Sequence, residues 1–262
     1  MRFLFITLFP KQIEQAVSHS IIKRGMDRGL IEINCINPRD FTSDKHRTVD
    51  DVPFGGGTGM VLKPEPMVAA IRKAKEQLPD AKVIAMCPGV KPLSQKCAEE
   101  YAQNGQDLIL VCGHYEGFDE RIFAFVDEKL SVGDYILTGG ELPALILLDA
   151  VSRFIPGVLG KMESAANDSF SDGLLEYPQY TQPVNFEGMT VPEILCNGNH
   201  GLIERWRRKE SLKATYFFRP DLIPAEMMAA IEGDIPKNMS KDEKKFYTEL
   251  RMELRKALGD DK

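Results

Sequence analysis

The 262-residue sequence holds no CxxC pair, no GxGxxG and no GxxxxGKS/T, and each absence removes a class of chemistry. Without the dinucleotide fingerprint or the phosphate loop, neither a Rossmann cofactor site nor a P-loop nucleotide site has a footing. Five cysteines, at 35, 87, 97, 112 and 196, stand apart in an odd set. Several fall inside apolar segments, so they read as buried thiols in a reducing compartment rather than a disulfide frame. The four histidines, at 19, 46, 114 and 200, are scattered singly, so sequence neighbours build no metal site.

Long apolar runs are missing as well. The densest, residues 142–151, is interrupted by Asp149 and falls far short of the roughly 20 residues that cross a bilayer. The opening MRFLFITLFPKQIEQ is short, meets a proline and lacks a small-residue cleavage signature, so it reads as a first strand and not a signal peptide. A soluble cytoplasmic protein without a membrane partner is the expectation. Net charge is only -6, which argues against a protein that coats nucleic acid non-specifically. One local basic stretch stands out: Arg205, Arg207, Arg208, Lys209, Lys213 and Arg219 against Glu204 and Glu210.

What is present is enough for a sizeable core, with 43% hydrophobic and 27% charged residues in one large domain or two moderate ones. Residues 2–8 read as a strand, 11–28 as a helix and 31–36 as a second strand. The polar, glycine-rich stretch 37–59 has too little periodicity for a packed element, and such long loops are often functional. Residues 64–78 place Met67, Ala70, Ile71, Ala74 and Leu78 on one helical face, before the apolar run 82–87. Leu93, Cys97, Ala98 and Tyr101 repeat that pattern before 107–112. This alternation predicts an α/β domain, a largely parallel sheet with helices on both faces. Ligands in such sheets sit beyond the carboxyl ends of strands, where Pro88, Gly113 and the loop leading to Gly133 fall, as do Gly139 and Gly140 after an apolar 135–137. Residues 155–183, rich in glycine, serine and proline, read as a linker or mobile cover. Beyond them, 200–217 is a basic helix and 241–258 a helix with Phe246, Leu250, Leu254 and Leu258 four apart, so a small helical domain closes the chain.

Two glycine-bearing loops follow apolar runs directly: GHYEGFDER at 113–121 and SVGDYILTGGELPA at 131–144. Gly113, Gly117, Gly133, Gly139 and Gly140 either line a pocket with backbone or simply serve turns. Glu116, Asp119, Glu120 and Arg121 fit a solvated helix start as well as a ligand contact at Glu116.

These loops belong to a longer series: PRDFTSDKHRTVDDVPFGGGTGMV (38–61), LILVCGHYEGFDERI (108–122), SVGDYILTGGELPA (131–144), DAVSRFIPGVLG (149–160), DSFSDGLLEYPQYTQP (168–183) and GNHGLIERWRRKESL (198–212). In this order they resemble the bacterial tRNA (guanine-37-N1)-methyltransferases, the TrmD family of SPOUT-class enzymes, over roughly residues 1–220. The resemblance implies a deep C-terminal trefoil knot in a catalytic domain at 1–160, a flexible linker or cover at 161–175, and a mainly helical tRNA-binding domain at 176–262. Nothing in the periodicity shows the knot, and the rule against threaded chains points away from one.

The resemblance further implies an S-adenosyl-L-methionine pocket made by knot loops that include Met86, Pro88, Cys112, Gly113, Tyr115 and Glu116. The adenine would rest against backbone around Val132, Gly133, Tyr135 and Leu137, with Gly139, Gly140 and Pro143 shaping the wall. Relatives commonly carry arginine where this chain has His114, which bears on any charge-dependent role there. Asp168 matches the family's catalytic aspartate, the general base for the guanine N1 proton; alone it reads as a helix N-cap. Arg153 matches the arginine placed near guanine O6; alone it compensates a helix dipole. The implied partners are a tRNA with guanine at position 37 and a second subunit, in a homodimer whose catalytic aspartate serves the other subunit's cofactor. Arg39, Lys45, His46, Arg47, Asp50 and Gly59 then become candidate contacts to the anticodon loop, and Arg205, Arg207, Arg208 and Lys209 to the tRNA backbone. The family tends to need Mg2+, yet no carboxylate cluster points to a protein-held ion. The alternatives are a related knotted enzyme acting on another base or a ribose, and a module that binds cofactor without catalysis.

Overall fold

Alternation along the strands sets the layers of the first unit. The computed structural model describes residues 1–160 and 168–259, in two compact units, Met1–Ala165 and Ala166–Lys262. In the first unit the chain runs β1 (Arg2–Ile6), α1 (Pro10–Ala16), α2 (Ser20–Asp27), β2 (Glu32–Ile36), β3 (Asp50–Asp51), β4 (Val61–Leu62), α3 (Pro64–Gln77), β5 (Lys82–Met86), α4 (Gln95–Asn104), β6 (Leu108–Cys112), β7 (Glu128–Leu130) and α5 (Glu141–Ser152). Phe3 and Phe5 of β1, Ile84 and Met86 of β5, and Leu108, Leu110 and Cys112 of β6 join one apolar cluster, shared with α1, α4 and α5. Leu4, Ile6, Val83, Ala85, Ile109 and Val111 turn the other way and pack under α3. Both faces of these strands are buried, which is why they read as nearly unbroken apolar runs.

The main sheet has five parallel strands in the order β2-β1-β6-β5-β7. Its register brings three strand ends level: Met86 pairs with Cys112 on one side and with Leu130 on the other. The loops that leave these residues must therefore emerge side by side. Helices cover both faces, as the sequence predicts.

Local chemistry explains where elements stop. Residues 11–28 form two helices, not one, because the chain breaks at Val17–His19. The Ser18 hydroxyl there donates to the Gln15 carbonyl at 2.7 Å, a side-chain alternative to continuing the helix. Residues 37–59 are less formless than expected. Pro38–Phe41 makes a 3-10 turn, and β3 pairs antiparallel with β4, Val49 and Leu62 being buried beneath. Residues 135–137 make no strand but line a loop. Cys112 is the one fully buried thiol, whereas Cys35, Cys87 and Cys97 are half-buried and Cys196 is exposed. Burial pushes the Cys35 thiol up to about 12 and the Cys112 thiol well above its ordinary value, so neither is a ready nucleophile.

The second unit holds a short hairpin, β8 (Asn185–Phe186) with β9 (Met189–Thr190), and the helices α6 (His200–Phe218), α7 (Ala225–Glu232) and α8 (Lys241–Leu258). Leu212, Ile231, Phe246, Leu250 and Leu254 form its core. Ser240 caps α8: Glu243 N donates to its Oγ, and the Ser240 hydroxyl donates to the Glu243 carboxylate. Of the expected linker 161–175, residues 161–167 lie outside the described ones. The remainder is fastened to α6, since Leu175 N donates to Thr215 Oγ1 and Ser211 Oγ donates to the Leu175 carbonyl. Among the described residues no helix is long and apolar enough to cross a membrane.

Candidate functional site

The loops after β5, β6 and β7 enclose a cavity of about 350 Å³. Backbone hydrogen bonds hold them together: Cys87 N to Leu130 O at 3.0 Å, Leu93 N to Ser131 O at 2.8 Å, and Gly140 N to Gly113 O at 2.8 Å. Gly140 requires the absence of a side chain. A Cβ there would lie 2.5 Å from Gly113 N and 2.6 Å from Cys112 Cα, so the N-terminus of α5 sits against the end of β6 as only glycine allows.

Met86, Pro88, Gly113, Tyr115, Glu116, Val132, Gly133, Tyr135, Leu137, Gly139, Gly140 and Pro143 all line this cavity. Cys112 does not; it is buried in β6 under the wall that Gly113 begins. Ser131, Ile136 and Thr138 of the same 131–143 loop line it too, as do Phe118 and Leu130, which lie outside the knot loops expected to form it. Tyr115 takes a left-handed backbone conformation, φ 60°, at the cavity's edge, the kind of local strain that the surroundings must hold in place.

Behind the cavity wall lies a feature the sequence reading missed. Glu141, the first residue of α5, is 1% exposed and is the only buried charged side chain among the described residues. Its carboxylate accepts from Thr7 Oγ1 at 2.5 Å and from His114 Nε2 at 2.6 Å. A carboxylate taken out of water needs such donors, and the helix N-terminus favours it further. The His114 ring packs against Phe9, centroids 4.8 Å apart. His114 thus ties the loop after β6 to α5 and, through Glu141, to the end of β1. A neutral imidazole suffices as that donor, so the position needs no arginine-like charge to be held.

The remaining candidates fall elsewhere. Arg153 follows the last turn of α5 and borders a second recess with Leu142, Ile146 and Asp149. Arg39 and Arg47 brace each other: Arg39 Nη1 donates to the Arg47 carbonyl at 3.0 Å, Arg47 Nε to the Arg39 carbonyl at 3.2 Å, and Arg47 also pairs with Asp40. His46 is exposed, its backbone N–H donating to Asp44. Asp50 lies in β3, and Gly59 (φ 89°) presses on Glu116, whose Oε1 would be 2.3 Å from a Cβ there. Asp168 opens a turn in which Ser171 N donates to its carbonyl at 3.2 Å; no helix begins there among the described residues. Of the basic residues on α6, Arg205 pairs with Glu249 at 3.1 Å and Lys209 with Glu253 at 2.5 Å, while Arg208 lies over the Phe246 ring at 5.0 Å. No group of three or more His, Cys, Asp or Glu side chains among the described residues could hold a metal ion.

A family model for tRNA (guanine-1)-methyltransferase TrmD matches residues 1–225. The tRNA (guanine-N(1)-)-methyltransferase of Dictyoglomus turgidum is 48% identical over 242 residues, 92% of this chain and 98% of that protein. The like-named protein of Staphylococcus haemolyticus is 51% identical over 224 residues, 85% of this chain and 91% of its own length. That of Citrifermentans bemidjiense is 48% identical over 251 residues, covering 95% and 96%. The glycine-built cavity at three level strand ends therefore has a context: the chain belongs to the TrmD family of tRNA (guanine-1)-methyltransferases, knotted SPOUT-class enzymes that use S-adenosylmethionine to methylate guanine N1 in tRNA.

Proposed function

We propose that the guanine methylated is at position 37 of tRNA, beside the anticodon, that S-adenosylmethionine sits in the cavity beyond β5, β6 and β7, and that Asp168 and Arg153 carry the proton and charge changes. The cavity carries the first half of this reading. Its volume suits a small cofactor, and its walls are loop backbone and apolar side chains with few charges. Val132, Gly133, Tyr135 and Leu137 would hold the adenine, with Met86, Pro88, Cys112, Gly113, Tyr115, Glu116, Gly139, Gly140 and Pro143 completing or backing the wall. When bound, the cofactor supplies an electrophilic methyl on a sulfonium.

The chain's own residues do the rest. Guanine N1 must lose its proton as it forms the new N–C bond, the electron pair of the breaking C–S bond going to sulfur. A carboxylate within about 3 Å takes that proton at neutral pH, the role assigned to Asp168. Deprotonation pushes negative charge toward O6, and a guanidinium fixed there, Arg153, stabilises the transition state more than the ground state.

The same reading makes the enzyme a homodimer in which Asp168 of one subunit serves the cavity of the other. The support lies in α5, where Leu142 and Ile146 are 48% and 45% exposed beside the second recess although the helix has scarcely any polar face. A two-fold interface buries such a patch against its own copy. Arg39, His46, Arg47, Asp50 and Gly59 contact the anticodon loop, and Arg205, Arg208 and Lys209 position the tRNA backbone, with Arg205 and Lys209 shared between phosphate and their partners Glu249 and Glu253. Any Mg2+ travels with the RNA and cofactor, and the enzyme works in the cytoplasm. The test is nucleoside analysis after reaction with labelled S-adenosylmethionine. A transcript with guanine at position 37, preceded by guanine, should yield N1-methylguanosine, and one with adenine at 37 none. Label on a ribose or on another base would overturn the reading.

A further inference from the structure

The hairpin of β3 and β4 is anchored at its base and bare at its tip. Its base is stitched to the cavity wall: Glu116 N donates to the Met60 carbonyl at 2.9 Å, Leu62 N to the Gly117 carbonyl at 2.9 Å, and Asp119 N to the Leu62 carbonyl at 3.1 Å. At the tip, Phe54 is 100% exposed and Val52 65%. The chain bends there through Gly55, Gly56 and Gly57, all at positive φ, before Gly59 closes on Glu116. Phenylalanine has no polar handle to justify full exposure, and the hairpin that carries it is held to the cavity rather than hanging free.

We propose that Phe54 is a stacking platform for an unpaired tRNA base next to the methylated guanine. This inference rests on the anticodon-loop reading above and adds to it a residue that binds through its ring. Extruding a loop nucleotide leaves its neighbours unstacked, and an aromatic face replaces the lost partner without regard to base identity. Lys45, His46 and Arg47 are exposed in the segment just before β3, Arg47 paired with Asp40 and the carboxylates of Asp44, Asp50 and Asp51 alongside, so the ring and not a basic patch is what this segment offers to a base. A single projecting ring on a glycine bend is far too small for a stable protein interface, which needs on the order of 800 Å² from each partner. A base, flat and about the size of the ring, is the occupant that fits.

The experiment measures KM for tRNA, kcat and cofactor affinity on a transcript that the wild-type enzyme methylates at position 37. Phe54→Ala should raise KM by about tenfold to a hundredfold, with kcat at saturating tRNA changing by less than about threefold. Phe54→Trp should restore KM, Phe54→Leu should not, and the salt dependence of binding should keep its slope because no phosphate contact is lost. In wild type, 2-aminopurine beside the target guanine should be quenched on binding; in Phe54→Ala it should not. An unchanged KM in Phe54→Ala, or full activity in Phe54→Leu, overturns the stacking role. A shift of Phe54→Ala to a lower oligomeric state also overturns it, making the ring a subunit contact. Failure of the wild-type enzyme to methylate position 37 would instead strike the underlying reading.

Discussion

Both units of this chain have apolar cores, but they place their charges differently. In the first, the candidate site is shaped by backbone: strand ends set level by register, amide-to-carbonyl bonds between loops, and glycines where no Cβ fits. Glu141, the buried charge among its described residues, is met by two donors from distant parts of the chain. The second unit joins α6 to α8 through the apolar core of Leu212, Phe246, Leu250 and Leu254 and adds partly exposed pairs at its edge, Arg205–Glu249, Lys209–Glu253 and Lys213–Glu253. A site made of backbone tolerates little change. Partly exposed pairs at the edge of an apolar core can release some of their charges to an anionic ligand at small cost, because the core still joins the helices.

That contrast orders the expected effects of substitution. The largest belongs to Gly140→Val, which forces side-chain atoms into the backbone of Cys112 and Gly113; loss of folded protein and of cofactor binding, seen by circular dichroism and calorimetry, is the outcome. Normal affinity in that variant would mean the cavity does not depend on this contact. Next comes Ile146→Asp on the outer face of α5. In sedimentation it should convert a dimer to a monomer that keeps its helicity but no longer methylates tRNA, and a wild-type monomer would remove the shared site. His114→Ala leaves the buried Glu141 carboxylate with Thr7 alone and should cost about 3 kcal/mol in denaturant unfolding. His114→Arg or His114→Gln, which retain a donor, should recover part of that loss.

The smallest effect is expected in the second unit. Burial alone would raise the Glu253 carboxyl, but hydrogen bonds from Lys209 and Lys213 outweigh it and hold the group below its usual value. Burial would lower Lys213, yet Glu210 and Glu253 hold it above the usual lysine value. A depressed carboxyl stabilises the fold at neutral pH and loses that contribution as pH falls through its folded-state value. A raised lysine contributes below its ordinary value and loses the contribution as pH rises through the elevated one. Glu253→Gln should therefore flatten the stability profile at both ends while costing about 1 kcal/mol or less at neutral pH. A larger loss would show that these pairs do more than join helices.

Much of this was legible in the sequence wherever one element sufficed to explain itself. The apolar stripe of α3 and the four-residue spacing of α8 specify helices that bury Met67, Ala70, Ile71 and Ala74, or Phe246, Leu250 and Leu254. The glycine loops announced a cavity because close approach restricts residue type. What could not be read was whatever depends on distant partners. Glu141 meets residues 134 and 27 positions away, and nothing in ELPA distinguishes a buried carboxylate from an ordinary helix start. The β3 and β4 strands, two residues each, are too short to show alternation, so the hairpin carrying Phe54 passed for loop. The α6 arginines and lysines announced a basic face, while their carboxylate partners lay some 40 residues on, in α8.

In the proposed mechanism proton removal and donor binding are separate tasks, the first given to Asp168 and the second to the glycine-lined cavity. Single-turnover methyl transfer by Asp168→Asn, measured beside its affinity for S-adenosylmethionine, tests this most directly. The rate should fall by about 10²-fold or more while the affinity stays close to wild type. An unchanged rate, or a loss of rate fully accounted for by weaker cofactor binding, would contradict it.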